Sequence, residues 1–336
     1  GQVRLLGGDA LPLDDVRYFA VDVQPAWPLL IANGPEVTSD YLAEAIAPRE
    51  FRRTNQARFA PEVVSQTDLV GRNLTNYRAI ALLDPGPMPE QAWQVLADYV
   101  ESGGGLAIFL GHNCDAKSFS TDLPSQLLGG KITRQTRTPG DIYFAPASYD
   151  HPILNPFRQL ETTVPWDRFP IYFHWNLDNL QPTARMIAPF GDQKPALVEN
   201  LFKAGRVVTL TTPITDPLRP NGRGTWNELA TGEDAWPCFV LVNEIMLHLA
   251  QSGASTRLNF QCGESAILSI GEFAERYQLF SPSELPQDVI ARDGKVIVRF
   301  TEYPGNYRLR ALKPEPVVRG FAVNLSAEST DLQRLD

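Results

Sequence analysis

Three short apolar runs punctuate the early part of the chain: Leu29-Leu30-Ile31-Ala32, Ala79-Ile80-Ala81-Leu82-Leu83 and Leu106-Ala107-Ile108-Phe109-Leu110. Each ends in a polar or glycine-containing loop. An apolar run without alternation is what a strand covered on both faces requires, so the three predict parallel strands of an interior sheet. A further strand is expected at 59–64. Between them the pattern turns helical. Residues 40–47 can form a helix capped by Ser39 and stopped before Pro48. Residues 89–101 place Trp93, Leu96, Ala97 and Val100 on one helical face, and Ser102-Gly103-Gly104-Gly105 terminates them. Strands alternating with helices at this spacing predict an α/β fold with a doubly wound, mostly parallel sheet.

Elsewhere the pattern changes. Val3-Arg4-Leu5-Leu6 and residues 17–23 read as two strands joined by a polar turn around Leu11-Pro12-Leu13-Asp14-Asp15. Residues 115–195, rich in Pro, Asp and aromatics, carry no clear periodicity. Residues 196–199 and 206–210 read as a strand pair around Lys203-Ala204-Gly205. A Pro- and Gly-containing loop at 216–237 then leads into a closing helix at 239–250. Ser252-Gly253-Ala254-Ser255 has the composition of a linker. Beyond it, 296–300, 306–309 and 320–324 alternate as a small antiparallel β-sandwich would. The expected organisation is a β hairpin at 1–26 packing with the last domain, an α/β domain at 27–252 and a smaller β-sandwich domain at 255–336.

Composition narrows the function classes. Hydrophobic residues make up 43% and charged residues 21%, ordinary values for a globular protein. A net charge of -9 with scattered arginines excludes a nucleic-acid surface and a polybasic membrane patch. Cys114, Cys238 and Cys262 form no CxxC pair, which excludes a zinc ribbon or a thioredoxin-type motif. No cofactor motif is present, and none is expected. The most apolar stretch, 238–250, is interrupted by Asn243, Glu244 and His248 and is shorter than the roughly 20 residues of a spanning helix. The opening on Gly1-Gln2-Val3, without methionine, gives the expectation of a piece excised from a longer protein.

The segment Ala107-Ile108-Phe109-Leu110-Gly111-His112-Asn113 resembles the nucleophile elbow of class I glutamine amidotransferases, Gly-x-Cys-x-Gly followed by His-Gln. The resemblance implies an amidotransferase-like, flavodoxin-like fold whose triad is degenerate. Ala107 replaces the first glycine and Phe109 stands at the nucleophile position, where a phenyl ring can be neither thiolate nor activated alkoxide. The family's His-x-Glu pair is absent too: Trp175-Asn176 follows His174, and Leu249-Ala250 follows His248. More broadly, residues 11–19, 103–111, 150–154, 304–307 and 321–329 resemble the Bat-type, aerotolerance-related proteins of planctomycete-type bacteria. That resemblance implies an extracytoplasmic domain of a membrane-anchored protein with protein partners at or near the membrane. The Asp-x-Ser-x-Ser metal motif of the adjoining von Willebrand A-type segments does not occur here.

Several residues invite a chemical reading beside a structural one. Cys114, next to His112 and Asp115, reads as a relocated nucleophile or a metal ligand, although its distance from Phe109 forfeits the elbow geometry. The glycines at 103–105 precede a strand, so they read as a helix stop, whereas a phosphate cradle follows one. Asp150-His151-Pro152 reads as half an acid–base pair or a structural turn. His174 and the tryptophans Trp166, Trp175, Trp226 and Trp236 read as packing. Ligands of open parallel sheets bind beyond the carboxyl ends of the strands, which places Asn33, Asp84, Gly111, His112, Asn113 and Thr212 at one candidate pole. The leading expectation is a non-catalytic scaffold or interaction module. Its rivals are a glutamine amidotransferase-like hydrolase using Cys114 and a domain binding a small ligand at that pole.

Overall fold

The computed structural model describes residues 1–7, 15–23, 25–160, 164–214, 224–250, 257–270, 274–282, 285–292, 294–299, 301–311 and 318–326. The proposed turn around 11–14, the linker at 252–255 and much of the loop at 216–237 lie outside them. The chain divides into two compact units, Pro25–Gly253 and Gly1–Gln24 with Ala254–Asp336. The second unit opens with β1 (Gln2–Arg4) and β2 (Val16–Tyr18), an antiparallel pair.

In the larger unit β3 (Trp27–Asn33) leads through α1 (Asp40–Ile46) and α2 (Arg49–Arg53) to β4 (Phe59–Ser65). Then come β5 (Ala79–Leu83), α3 (Glu90–Glu101), β6 (Gly105–Phe109), α4 (Ala116–Phe119) and α5 (Asp122–Leu128). A ribbon of β7 (Lys131–Ile142) and β8 (Ile171–Asp178) follows, then β9 (Ala184–Pro189), β10 (Pro195–Phe202), β11 (Gly205–Leu210) and α6 (Trp236–Ala250). The seven-stranded sheet has the order β4-β3-β5-β6-β11-β10-β9. Strands β4 to β11 in that order run parallel, while β10 and β9 are antiparallel additions at one edge. Every residue of β5 and of β6 is buried, as their apolar runs require.

Helices cover both faces. On one, Leu42 and Ile46 of α1 and Leu241, Ile245 and Leu249 of α6 pack against Leu29, Ala81 and Phe109. On the other, Trp93, Leu96 and Val100 of α3 and Leu127 of α5 pack against Leu30, Ile80 and Ile108. α3 stops where Gly103 takes φ +103°. The expected cap at Ser39 does not form: its side chain makes no bond to the start of α1, and the Asn33 amide approaches its hydroxyl at 3.5 Å instead.

The smaller unit continues with β12 (Asn259–Gln261), β13 (Ala266–Ser269), β14 (Arg276–Phe280), β15 (Gln287–Ile290), β16 (Lys295–Val298), β17 (Gly305–Ala311) and β18 (Val318–Asn324). β12-β18-β17-β14-β15 form one sheet and β13-β16 a separate antiparallel pair. Burial alternates strictly along β17, and its inner residues Tyr307, Leu309 and Ala311 share a core with Ala266, Leu268, Val296 and Val298 of the pair. Two asparagines bind the N-terminal strand to this unit. Asn324 accepts from Tyr18 N–H at 2.7 Å and donates to its carbonyl at 2.8 Å, and Asn259 does the same for Ala20 at 2.9 and 3.0 Å.

Candidate functional site

The carboxyl ends of β3, β5 and β6 meet around Asp84, which is fully buried and adopts φ +44°. Its N–H donates to the Phe109 carbonyl at 2.9 Å, fixing the end of β5 to the end of β6. Asn113 reaches back over it. The Asn113 N–H donates to Asp84 Oδ1 at 2.7 Å, and its side-chain amide donates to Asp84 Oδ2 at 3.3 Å, the Asp84 carbonyl at 3.2 Å and the Pro35 carbonyl at 2.8 Å. One amide therefore stitches the loops after three strands. The crowding dictates two glycines. A Cβ on Gly111 would lie 2.6 Å from the Asp84 carboxyl carbon, and one on Gly34 would overlap the Asp84 carbonyl oxygen. Asn33, half-buried beside them, keeps its Oδ1 enclosed and without a hydrogen-bond partner.

The elbow suggested by the sequence frame is not built. Phe109 is the last residue of β6, extended, paired in register with Leu83 and Leu210, and 1% exposed in the core. A nucleophile elbow is a strained strand-to-helix turn that presents its side chain to substrate. Cys114 does not replace it. The thiol is buried; its sulfur accepts from Gly111 N–H at 3.4 Å and donates to the Pro85 carbonyl at 3.3 Å. Burial, followed by the negative charge of Asp84, pushes the thiol pKa well above its ordinary value. A catalytic thiol needs the opposite shift.

The other side of the pole is aromatic. His112 packs at a tilt against Trp226, ring centroids 5.0 Å apart, Trp226 packs on Phe173 at 5.6 Å, and Trp175 donates its indole N–H to the Gly111 carbonyl at 2.9 Å. Thr212 is fully buried, donating to the Phe173 carbonyl at 3.0 Å and accepting from Asn227 at 2.8 Å. Of the six pole residues, the fold thus gathers Gly111 and Asn113 around the Asp84 carboxylate, with Asn33 at the end of the neighbouring β3. His112 is turned toward Trp226, and Thr212 is enclosed. Trp166, Trp175 and Trp226 are core residues, whereas Trp236 is 37% exposed. His174 is fully buried between Phe190 and Asp192, its Nε2 3.2 Å from the Asp192 carboxylate.

A second polar assembly escaped the sequence reading. Glu199 of β10 meets His151, His248 of α6 and Arg206 of β11 on the sheet face that α6 covers. Burial would raise the Glu199 pKa, but hydrogen bonds from His151 and His248 outweigh it and hold the carboxyl well below the usual range. His151 also anchors a turn, its carbonyl accepting from Leu154 and Asn155 at 2.8 and 2.9 Å.

No family model and no curated protein matches the sequence. Solved structures do match. A ThuA-like protein from Bacteroides uniformis aligns over 71% of this chain and 97% of its own, with 14% identity and a TM-score of 0.50. A cytoplasmic protein from Salmonella typhimurium, STM3548, aligns over 66% and 98% with 13% identity and a TM-score of 0.48. A β-galactosidase from Rahnella sp. R3 covers 88% of this chain but only 41% of its own, with 12% identity and a TM-score of 0.42. The ThuA-like likeness fits a flavodoxin-like α/β fold. It also corrects the resemblance to the Bat-type, aerotolerance-related group, because the structural likeness is to a ThuA-like protein. Among the described residues no helix is long and apolar enough to cross a membrane.

Proposed function

We propose that the larger unit is a non-catalytic binding module of amidotransferase-like architecture that presents its strand-end pole to a protein partner. The observation carrying this reading is the fate of the nucleophile position: Phe109 lies inside β6, buried and extended, where neither the turn nor the chemistry of an elbow is present. Cys114, the rival nucleophile, is enclosed by main-chain groups that a substrate carbonyl would have to displace. The partner-facing groups are His112 and Asn113, which keep partial exposure above a rigid, stitched platform. The direct test is hydrolysis of glutamine by the whole chain, read as glutamate released. The expected result is no turnover above the blank; turnover that disappears in Cys114→Ser would overturn the proposal.

A small polar ligand at the same pole is a second reading, favoured by the unpartnered Oδ1 of Asn33. A buried acceptor without a donor costs free energy that a ligand N–H or O–H would recover. Such a ligand would raise the melting temperature of the native chain and leave Asn33→Ala unchanged. An equal rise in both would dismiss this reading.

A further inference from the structure

We propose that His151, Glu199 and His248 form a binding site for one divalent transition-metal ion of the zinc class. The three come from separate elements: His151 from the turn before 155–160, Glu199 from β10 and His248 from the last turn of α6. They lie toward the amino-terminal ends of the parallel strands: Arg206 beside them is the second residue of β11, and Leu249, next to His248, lies against Gly105 at the start of β6. The site is therefore at the opposite end of the sheet from the pole around Asp84.

Its donor atoms converge. His248 Nε2 lies 2.6 Å from Glu199 Oε1, and His151 Nε2 lies 3.3 Å from Glu199 Oε2. One donor atom from each residue falls within 4.8 Å of the other two. Around a tetrahedral ion with bonds of about 2.0–2.2 Å, neighbouring donors stand roughly 3.3 Å apart, so modest side-chain rotations complete the set. The side chains are 6%, 14% and 13% exposed, which gives the enclosure a bound ion needs. Two imidazoles and one carboxylate make a three-ligand set that leaves the fourth position to water. Calcium and magnesium require mainly oxygen ligands and do not suit it.

The hydrogen bonding is frustrated in a way an ion resolves. His248 Nε2 has the carboxylate of Glu199 at 2.6 Å and the guanidinium of Arg206 at 2.7 Å. A ring nitrogen carries either a proton or a lone pair. With the proton it repels Arg206, and with the lone pair it repels Glu199. Arg206 is here a resident cation seated beside Glu199 Oε1 at 3.3 Å, and its side chain is 29% exposed. A metal ion would take the lone pairs of Nε2 and Oε1 together while Arg206 withdraws to solvent. The price falls on His151. Binding through Nε2 moves its ring proton to Nδ1 and forfeits the bond from Ile153 N–H, which at 3.3 Å is a long one.

The test is Zn2+ titration of the whole, chelator-treated chain by calorimetry, with Co2+ as a spectroscopic probe. One equivalent of Zn2+ should bind and raise the melting temperature, and Co2+ should give a four-coordinate spectrum without thiolate charge transfer. Glu199→Gln and His248→Gln, checked for folding by circular dichroism, should lose that binding. Arg206→Gln removes the competing charge and should bind about tenfold more tightly. Absence of stoichiometric binding by both the native chain and Arg206→Gln would overturn the proposal. So would binding that survives both ligand substitutions, or that is lost in Cys262→Ser.

Discussion

Asn113 holds the buried carboxylate of Asp84 twice, through its main-chain N–H at 2.7 Å and its side-chain amide at 3.3 Å. The same amide reaches the carbonyls of Asp84 and Pro35, so one side chain joins the ends of β3, β5 and β6. Asn113→Ala should therefore destabilise the larger unit by about 1.5–3 kcal/mol, the range for hydrogen bonds to a charged group. Urea unfolding measures the loss. A change within about 0.5 kcal/mol, typical of an ordinary surface substitution, would contradict the role given to this amide.

Phe109 fills the core between β6 and α6, so Phe109→Ala should cost about 3–5 kcal/mol. Phe109→Cys restores the residue type of the amidotransferase nucleophile in an extended strand. Where near-ultraviolet circular dichroism shows that variant folded, glutamine hydrolysis should remain absent. Turnover by folded Phe109→Cys would mean that the elbow geometry forms after all.

Stability should depend on Glu199 in a pH-specific way. Its carboxyl is held below the usual range in the folded chain, so the ionised form contributes stability that is complete above the unfolded value of about 4.3. That contribution is lost as pH falls through the depressed folded value. In chelator-treated protein, Glu199→Gln should be less stable than the native chain at neutral pH. The gap should narrow below about pH 4.3. A gap independent of pH would show that the carboxylate charge is not what the two histidines hold.

Asn324 and Asn259 substitute side-chain amides for the strand that Tyr18 and Ala20 would otherwise pair with. Asn324→Asp keeps an acceptor for the Tyr18 N–H and sets an oxygen against its carbonyl. Hydrogen exchange at Tyr18 should quicken by about tenfold, as expected for roughly 1.4 kcal/mol of lost protection, while Ala20, held by Asn259, should change less. Unchanged exchange would place the hold on this strand elsewhere.

The sheet was legible wherever burial was two-sided. The runs at 29–32, 79–83 and 106–110 became β3, β5 and β6 because a strand covered on both faces needs no alternation. The ribbon was illegible for the converse reason. β7 buries only Ile132; Lys, Thr, Arg and Gln dominate the rest, with Pro139, Gly140 and Asp141 near its end, and its pairing to β8 has two irregularities. β9, also missed, joins the main sheet at its edge through a bulge. At the pole, the positional rule found Asn33, Asp84, Gly111 and Asn113 but could not foresee that Asp84 would be spent on the fold. The cluster around Glu199 has no local spacing, since His151 and His248 stand 48 and 49 residues from it. One signal was available: a glutamate directly after the buried Ala196-Leu197-Val198 implies a partner for its charge.

Whether this fold holds a nucleophile is tested most directly by alkylation of Cys114 against pH in the folded chain. Cys262, half-buried, should react first, while Cys114 and Cys238 stay protected until unfolding. Slow modification of Cys114, with no acceleration near neutral pH, is the predicted result. Fast modification with an apparent pKa below that of an ordinary thiol, abolished in Cys114→Ser, would contradict a non-catalytic role and restore the hydrolase reading.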